Sequence, residues 1–300
     1  MRFFPFATVA AYATCVAIWG TTWLAIKVAL TGFPPVFGAG VRFVLAGALL
    51  YAIAGARRID FKRSAPPIHL IVVLAVTMFG LNYAFTYVAE THLASGLVAV
   101  LFGTLPFFVF AFAHVLVRER ATFATVIGAI VALAGVAIIS IAGSVHADLA
   151  YVAAALAASA LSGFGNVYLK RYAEAEPLAT LPPAMLLAGI GMSLWGGIFE
   201  RVDWHAAAQS PPILALVYLA VGGSALAFYL NHWLLQRIDS GVMGLSALMI
   251  PVIAVVVGAV FAREIFTARD LIGAALVVGG VWFAMRRTPH TRIDEIVEYA

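Results

Sequence analysis

Apolar residues run along this chain in long unbroken stretches, and each stretch ends at a charged cluster or a proline pair. A helix needs about 20 apolar residues to cross the hydrocarbon core of a bilayer. Ten stretches reach that length, near 7–30, 34–56, 67–89, 94–117, 122–142, 147–171, 178–200, 211–236, 241–262 and 267–286. The pattern predicts an all-α integral membrane protein with ten transmembrane helices. A transmembrane β-barrel would instead alternate apolar and polar positions in segments of about ten residues. Four proline pairs, Pro34-Pro35, Pro66-Pro67, Pro182-Pro183 and Pro211-Pro212, are expected at helix starts, where the missing N–H costs nothing.

The ten runs form two sets of five. At an offset of 145 residues Ser95-Gly96 returns as Ser240-Gly241, Pro106 as Pro251, Arg118-Glu119 as Arg263-Glu264, Thr122 as Thr267, Gly128 as Gly273 and Gly135 as Gly280. Shared composition does not align rare prolines and an Arg-Glu pair in one register, so the chain reads as a duplication. The expected boundaries are a first repeat over 1–146, a second over 147–287 and a tail over 288–300. Five is odd, so the second repeat enters the membrane upside down relative to the first. Inverted repeats place a pseudo-two-fold axis in the membrane plane, and each opening built by one half has a counterpart on the other face.

Composition agrees: with 64% hydrophobic and 11% charged residues and a mean hydropathy of +1.02, the chain has too little polar surface to cover a water-soluble globule. Its net charge of +4 is distributed by side. With the N-terminus in the cytoplasm, 13 of the basic residues in loops, the tail or at span ends fall on the cytoplasmic side and only Arg201, Arg263 and Arg269 on the other. The positive-inside rule then puts both termini in the cytoplasm, and the charge carries no implication of nucleic-acid binding. No cleavable targeting signal is apparent, and the single Cys15 excludes an internal disulfide.

Candidate chemistry comes from polar residues that the apolar runs cannot explain. Span 3 carries Phe79, Asn82, Tyr83, Thr86, Tyr87 and Glu90 at helical spacing, and span 8 repeats this loosely with Ser224, Phe228, Asn231 and His232. Polar groups are costly in lipid, so these faces turn inward, toward a cavity or toward another helix. Spans 1 and 6 add Trp19, Thr22, Trp23, Phe164, Asn166 and Tyr168, as pocket lining or as an interfacial aromatic belt. Pro106 and Pro251 sit mid-span and each frees the carbonyl four residues earlier, Phe102 and Ala247, for a neighbour, a water or a ligand. They read either as hinges lining a cavity or as structural kinks.

The candidate substrate-binding set is therefore Trp19, Trp23, Phe79, Asn82, Tyr83, Thr86, Phe102, Phe164, Asn166, Phe228, Asn231 and Ser246. The candidate gating or hinge set is Pro106, Pro251, Lys27, Arg42 and Glu90. Lys27, Arg42 and Glu90 have Tyr172, Leu187 and Leu235 as repeat counterparts, so only the first half carries an ionic set. Glu90 is expected to neutralise Lys27 or Arg42 as a clamp or outer gate, or Lys27 snorkels to the headgroups. All 14 carboxylates lie in loops, in the tail or near a helix end, and only His114 and His232, toward the cytoplasmic ends of spans 4 and 8, could serve as a proton relay, so strong proton coupling is not expected. The small faces Gly128/Gly135 and Gly273/Gly280 predict close helix packing, between repeats or between subunits of a homodimer. No metal-ligand cluster, phosphate loop or enzyme constellation is recognisable, so no cofactor and no catalytic residue is assigned.

Trp19-Gly20-Thr21-Thr22 leading to Lys27, Arg42-Phe43, the mid-span Pro106 and Pro251 and the duplicated Arg-Glu together resemble the EamA family of the drug/metabolite transporter superfamily. The resemblance implies spans 1–4 and 6–9 arranged as a basket around a central cavity, spans 5 and 10 as a scaffold, and export of small metabolites. Branches of the superfamily export amino acids, the YddG type among them, and more distant ones carry nucleotide sugars and phosphorylated sugars. Phosphate substrates ask for several deep basic residues, whereas aromatic, Asn and Ser lining suits a zwitterion. The expectation is a secondary transporter in the inner (cytoplasmic) membrane, exporting aromatic and other hydrophobic or neutral amino acids by alternating access, facilitated or exchange-driven. Export of other metabolites or cationic drugs by proton antiport, and a non-transporting membrane scaffold, are the alternatives. Expected partners are a small-molecule substrate and the lipid bilayer, with no nucleic acid.

Overall fold

The computed structural model describes residues 5–93, 95–140, 148–250, 252–253 and 268–286. Pro251, Arg263, Glu264, Thr267 and the tail 288–300 lie outside the described residues. The longer helices, in chain order, are α1 (Phe6–Leu30), α2 (Pro35–Ala56), α3 (Ile68–His92) and α4, which is broken into Ser95–Phe102 and Leu105–Leu116. They continue with α5 (Phe123–Ser140), α6 (Leu149–Arg171), α7 (Pro177–Phe199), α8 (Ser210–Leu235), α9, described over Ser240–Ile250, and α10 (Ala268–Arg286). Among the described residues, α1, α2, α3, α6, α7 and α8 are long and apolar enough to cross a membrane, and the others are shorter apolar helices. The fold is all-α, two inverted sets of five helices around a cavity.

Local chemistry sets the helix starts. Pro34 and Pro35 open α2, Pro67 precedes α3, and Pro211 and Pro212 occupy the first turn of α8. Asp148 caps α6 by accepting from the Ala150 N–H at 2.9 Å. Pro182 and Pro183 correct the expectation. Pro177 takes the first position of α7, behind a Glu176 side chain that accepts from the Leu178 N–H at 3.3 Å. The later pair therefore lies inside the helix, where each ring removes a helical hydrogen bond.

The inversion is visible in glycine contacts. A Cβ on Gly128 would lie 2.5 Å from the Gly280 carbonyl oxygen, and one on Gly135 would lie 2.6 Å from that of Gly273. The 145-residue offset pairs Gly128 with Gly273 and Gly135 with Gly280, so each glycine touches the counterpart of the other. Antiparallel helices related by a two-fold axis perpendicular to them give this exchange. The small faces are thus spent between α5 and α10, where missing side chains let the backbones close, and they supply no support for a homodimer. In the same way α2 packs antiparallel on α7, with Gly47 against Leu186 and Gly189 against Val44.

A second duplicated feature escapes the hydrophobic pattern. Leu74–Leu81 of α3 and Leu219–Leu226 of α8 are π-helical, with i→i+5 bonding, and the two segments lie 145 residues apart at both ends. The first stands immediately before Asn82, and the second contains Ser224 and precedes Asn231 and His232. Large apolar side chains such as Leu194, Trp195 and Ile198 of α7 and Ile272 and Trp282 of α10 point outward. A water-soluble protein rarely leaves such patches open, but a bilayer covers them.

Candidate functional site

Six helices enclose a cavity of about 80 Å³. Trp19, Thr22, Trp23 and Ile26 line it from α1, Asn82, Tyr83 and Thr86 from α3, and Phe102 and Leu105 from the two ends of the break in α4. The second half contributes Ser162 and Asn166 of α6, Phe228 and Asn231 of α8, and Met243, Gly244, Ser246, Ala247 and Ile250 of α9. None of these side chains is charged. Both halves contribute, and among the described residues α5 and α10 contribute none.

Hydrogen bonds fix the polar lining. Asn166 donates from Nδ2 to the Ser162 carbonyl at 2.9 Å and accepts on Oδ1 from Asn231 Nδ2 at 3.0 Å. Across the cavity Asn82 donates to the Met78 carbonyl at 3.1 Å, and Thr86 donates to Asn82 Oδ1 at 3.4 Å. The Thr22 hydroxyl donates to the Trp19 carbonyl at 2.7 Å. Trp19 meets Phe228 edge to face at 5.7 Å, and Trp23 meets Phe102 at 5.8 Å.

Ten of the twelve residues expected to bind substrate line this cavity; Phe79 and Phe164 do not. Phe79 lies inside the π segment, which breaks the spacing that would keep it on the face of Asn82, and it packs with Phe43 and Phe228. Phe164 stacks on Tyr168 and meets Phe112. Sequence reasoning missed Ser162, although its carbonyl, one turn before Asn166, sets the orientation of the amide pair.

Pro106 is not a mid-helix kink. It stands at the start of the second piece of α4, after a turn in which Thr104 donates to the Leu101 carbonyl. The Phe102 carbonyl, expected to need a partner, accepts from Ser159 at 3.3 Å, so a neighbouring helix and not a substrate satisfies it.

The ionic clamp of Glu90 with Lys27 or Arg42 does not form. Arg42 is fully buried and gives Nε to Ser224 at 2.7 Å, NH2 to the Gly223 carbonyl at 3.1 Å and NH1 to the Tyr87 hydroxyl at 3.4 Å, with Tyr83 beneath it at 4.7 Å. The π segment of α8 presents Gly223 and Ser224 together, which gives the guanidinium neutral partners in place of a carboxylate. Gly223 leaves room for it, since a Cβ there would come within 3.2 Å of the guanidinium. Lys27 is exposed, and Glu90 is buried at 5% exposure with neither carboxylate oxygen hydrogen-bonded.

On the face where α1 begins, buried polar contacts join the helix ends. Glu119, after α4, accepts on Oε1 from the Ser240 N–H at 3.1 Å, and on Oε2 from the Ser240 hydroxyl at 2.6 Å and the Gly241 N–H at 3.4 Å. A carboxylate at a helix N-terminus is favoured by the unsatisfied N–H groups and the dipole, so Glu119 ties the first half to α9. Arg118, before it, holds the left-handed backbone at φ 56°. Lys170 adds bonds to the Leu235 and Ile238 carbonyls at 2.6 and 3.0 Å. The duplicated Arg-Glu and Ser-Gly pairs were the signal for this cap, read from sequence only as repeat markers. Toward the other face, Trp23 packs with Leu93, Val98, Leu101 and Ala155, and His92 stacks on Tyr151 at 3.8 Å. Among the described residues no group of three or more His, Cys, Asp or Glu could hold a metal ion.

Two inverted helical halves around an uncharged cavity define a membrane carrier. A model of the EamA-like transporter family matches residues 7–141 and again residues 149–286, and the chain belongs to that family. It is a multi-pass membrane transporter, not an enzyme. Over 273 residues it is 27% identical to the uncharacterized transporter YvbV of Bacillus subtilis strain 168, covering 89% of this chain and 87% of that one. It is 25% identical over 271 residues to the uncharacterized inner membrane transporter YedA of Escherichia coli K12, covering 88% and 86%. To a probable terminal-alkyne amino-acid exporter of Streptantibioticus cattleyicolor it is 27% identical over 280 residues, covering 91% of each. A protein of known crystal structure shares the fold with a TM-score of 0.82 at 22% identity, over 94% of this chain and 98% of its own.

Proposed function

We propose that the protein exports neutral amino acids, aromatic and other hydrophobic ones first, across the inner membrane by alternating access. The observation that carries this reading is a cavity between the two halves whose lining, among the described residues, combines aromatic rings, amides and hydroxyls with no charged side chain. A phosphorylated substrate would need basic groups in that lining, and Arg42 is engaged elsewhere with neutral partners. A relative named a probable amino-acid exporter is consistent with the same class.

An engineered apolar cavity of about 150 Å³ accepts benzene. A cavity of about 80 Å³ holds a small side chain as it stands, and an aromatic one once its walls part. The two halves rock against each other about the axis between α5 and α10, opening the site to each face in turn, with net flow following the substrate gradient or exchange. The excess of basic residues on the face where α1 begins supports cytoplasmic termini.

The test is uptake into proteoliposomes of labelled phenylalanine, tryptophan, threonine, glutamate, a nucleotide sugar and a lipophilic cation, each with and without a pH gradient. Saturable flux of the neutral amino acids that ignores the gradient is expected. Flux confined to the anion or the cation, or driven by pH, would replace this reading with export of other metabolites or drugs by proton antiport. Family membership leaves the scaffold alternative without support.

A further inference from the structure

A second recess, of about 970 Å³, opens on the face where α1 begins. One wall is the connection from α2 to α3 at Arg63–Pro67, the other is the turn from α6 to α7 at Lys170–Glu176, and Gln236 at the end of α8 closes the groove between them. Hydrogen bonds hold both walls: Asp60 Oδ1 accepts from the Arg63 N–H at 3.3 Å, and Gln236 Nε2 donates to the Ala173 carbonyl at 2.8 Å. Among the described residues the lining of the central cavity is uncharged, whereas this groove carries Arg63, Lys170 and Arg171 together with Glu174 and Glu176.

Some of these charges already have partners. Lys170, at 8% exposure, gives N–H groups to the Leu235 and Ile238 carbonyls, Arg171 gives one to the Leu116 carbonyl at 3.2 Å, and Glu176 accepts from the first turn of α7. The Arg171 guanidinium keeps further N–H groups to offer. The Arg63 and Glu174 side chains are exposed and make no hydrogen bond or ion pair among the described residues. A lone anion in the groove would meet Glu174, and a lone cation would meet both arginines. The charge set fits a ligand that joins an anionic group to a primary ammonium.

Apolar surface beside the groove indicates what carries such a ligand. Phe164 and Tyr168, each two residues beyond a cavity residue, Ser162 or Asn166, fall on the opposite side of α6. Phe164 stacks on Tyr168, Tyr168 meets Tyr172 at 5.4 Å, and Phe112 of α4 extends the row from Phe164. His69, at the start of α3, meets both tyrosines, with Nε2 3.0 Å from the Tyr172 hydroxyl. The row is half-buried, and Tyr172 belongs to both the row and the groove. From Tyr172 to Phe164 it descends about 12 Å, most of the roughly 15 Å of hydrocarbon in one leaflet. A free zwitterion would use the charges and leave the row bare; a lipid uses both.

We propose that the groove is a phospholipid site for a headgroup of the phosphatidylethanolamine type, with the phosphate at Arg63 and Arg171, the ammonium at Glu174 and an acyl chain along Phe164 and Phe112. Arg63 belongs to the first half and Arg171 and Glu174 to the second, so the bound lipid bridges the seam between the halves on this face. The site is independent of which substrate the carrier exports.

The test is native mass spectrometry of the purified protein offered equal amounts of phosphatidylethanolamine, phosphatidylcholine and phosphatidylglycerol with identical acyl chains. Trimethylation removes the N–H donors of the ammonium and glycerol removes its charge, so the ethanolamine lipid should be retained about threefold over either, the scale of an exposed ion pair. Glu174→Gln should erase that preference while leaving the choline lipid within about twofold, and Arg63→Gln should lower retention of all three lipids about threefold. Millimolar phenylalanine should displace none of them. Equal retention of the three lipids, no retention of any, a preference for the glycerol lipid, or a preference that survives Glu174→Gln would each overturn the proposal. Displacement of the ethanolamine lipid by phenylalanine would also overturn it, by making the groove a substrate site.

Discussion

Among the described residues the two halves share a helical plan and differ in the polar groups they bury. Their π segments fall at one offset, and their small glycine faces exchange partners across α5 and α10. Yet the first half buries Arg42, Tyr87 and Glu90, where the second has Leu187, His232 and Leu235. The cavity repeats the contrast, since Trp19 and Trp23 line it while their counterparts Phe164 and Tyr168 do not. Similar helical plans make two related conformations accessible; unequal side chains decide how the two faces differ in cost and which chemistry the site presents.

The largest expected effect comes from making the halves alike at the guanidinium. Arg42→Leu installs the residue of the second half and strands the Gly223 carbonyl and Ser224, two buried groups whose loss of partners costs about 1–3 kcal/mol each. Thermal melts in detergent should show a clear drop. Arg42→Lys should recover little, because a compact ammonium cannot serve Ser224, Gly223 and Tyr87 together. A variant that melts like the wild type would mean that the asymmetry is incidental.

Glu119→Ala comes next, removing the carboxylate that ties the first half to the start of α9. Loss of a charged hydrogen bond, at roughly 1.5–3 kcal/mol, shifts the balance about tenfold or more toward opening on the face where α1 begins. In a Cys15→Ala background, a thiol at Ser162→Cys should react correspondingly faster with a membrane-impermeant maleimide added from that face. Unchanged labelling would show that the contact does not hold the two halves together.

The shared backbone gives a prediction of equality. Gly128→Leu and Gly273→Leu occupy equivalent positions and should each lower stability by about 1–3 kcal/mol through overpacking. Gly279→Ala, with nothing within 4 Å of its Cβ, should change little. Unequal costs for the first two would break the symmetry of the packing. The smallest effect is expected at His232, which is fully buried with no well-formed hydrogen bond to either ring nitrogen and only the Ala173 backbone nearby. His232→Leu removes unpaired polar atoms, so the melting temperature should hold or rise while flux is retained; lost flux with intact stability would assign the imidazole a transport role.

Much of this was legible because rare residues stand out in an apolar chain. The offset of Pro, Arg-Glu and Gly fixed the duplication, and polar residues spaced along spans 3 and 8 could only face inward, which located Asn82, Tyr83, Thr86 and Asn231. The π segments were illegible, since in an entirely apolar stretch a change of helical pitch leaves no mark on the pattern, and Phe79 was misplaced for that reason. Pro106 reads from sequence as a mid-span hinge or structural kink because the sequence does not show that the span breaks at Thr104, two residues earlier. Charge pairing was also beyond reach. Arg42 found a carbonyl and a hydroxyl on a helix about 180 residues away, and opposite sign alone had suggested Glu90.

The most direct measurement of alternation between the inverted halves uses two spin-label pairs followed by double electron–electron resonance, without and with saturating phenylalanine. One pair, at Arg120 and Arg237, spans the halves on the face where α1 begins; the other, at His92 and Ala153, spans them on the opposite face. Alternating access predicts that one mean distance lengthens as the other shortens. Two distances that stay fixed, or that move in the same sense, would contradict it.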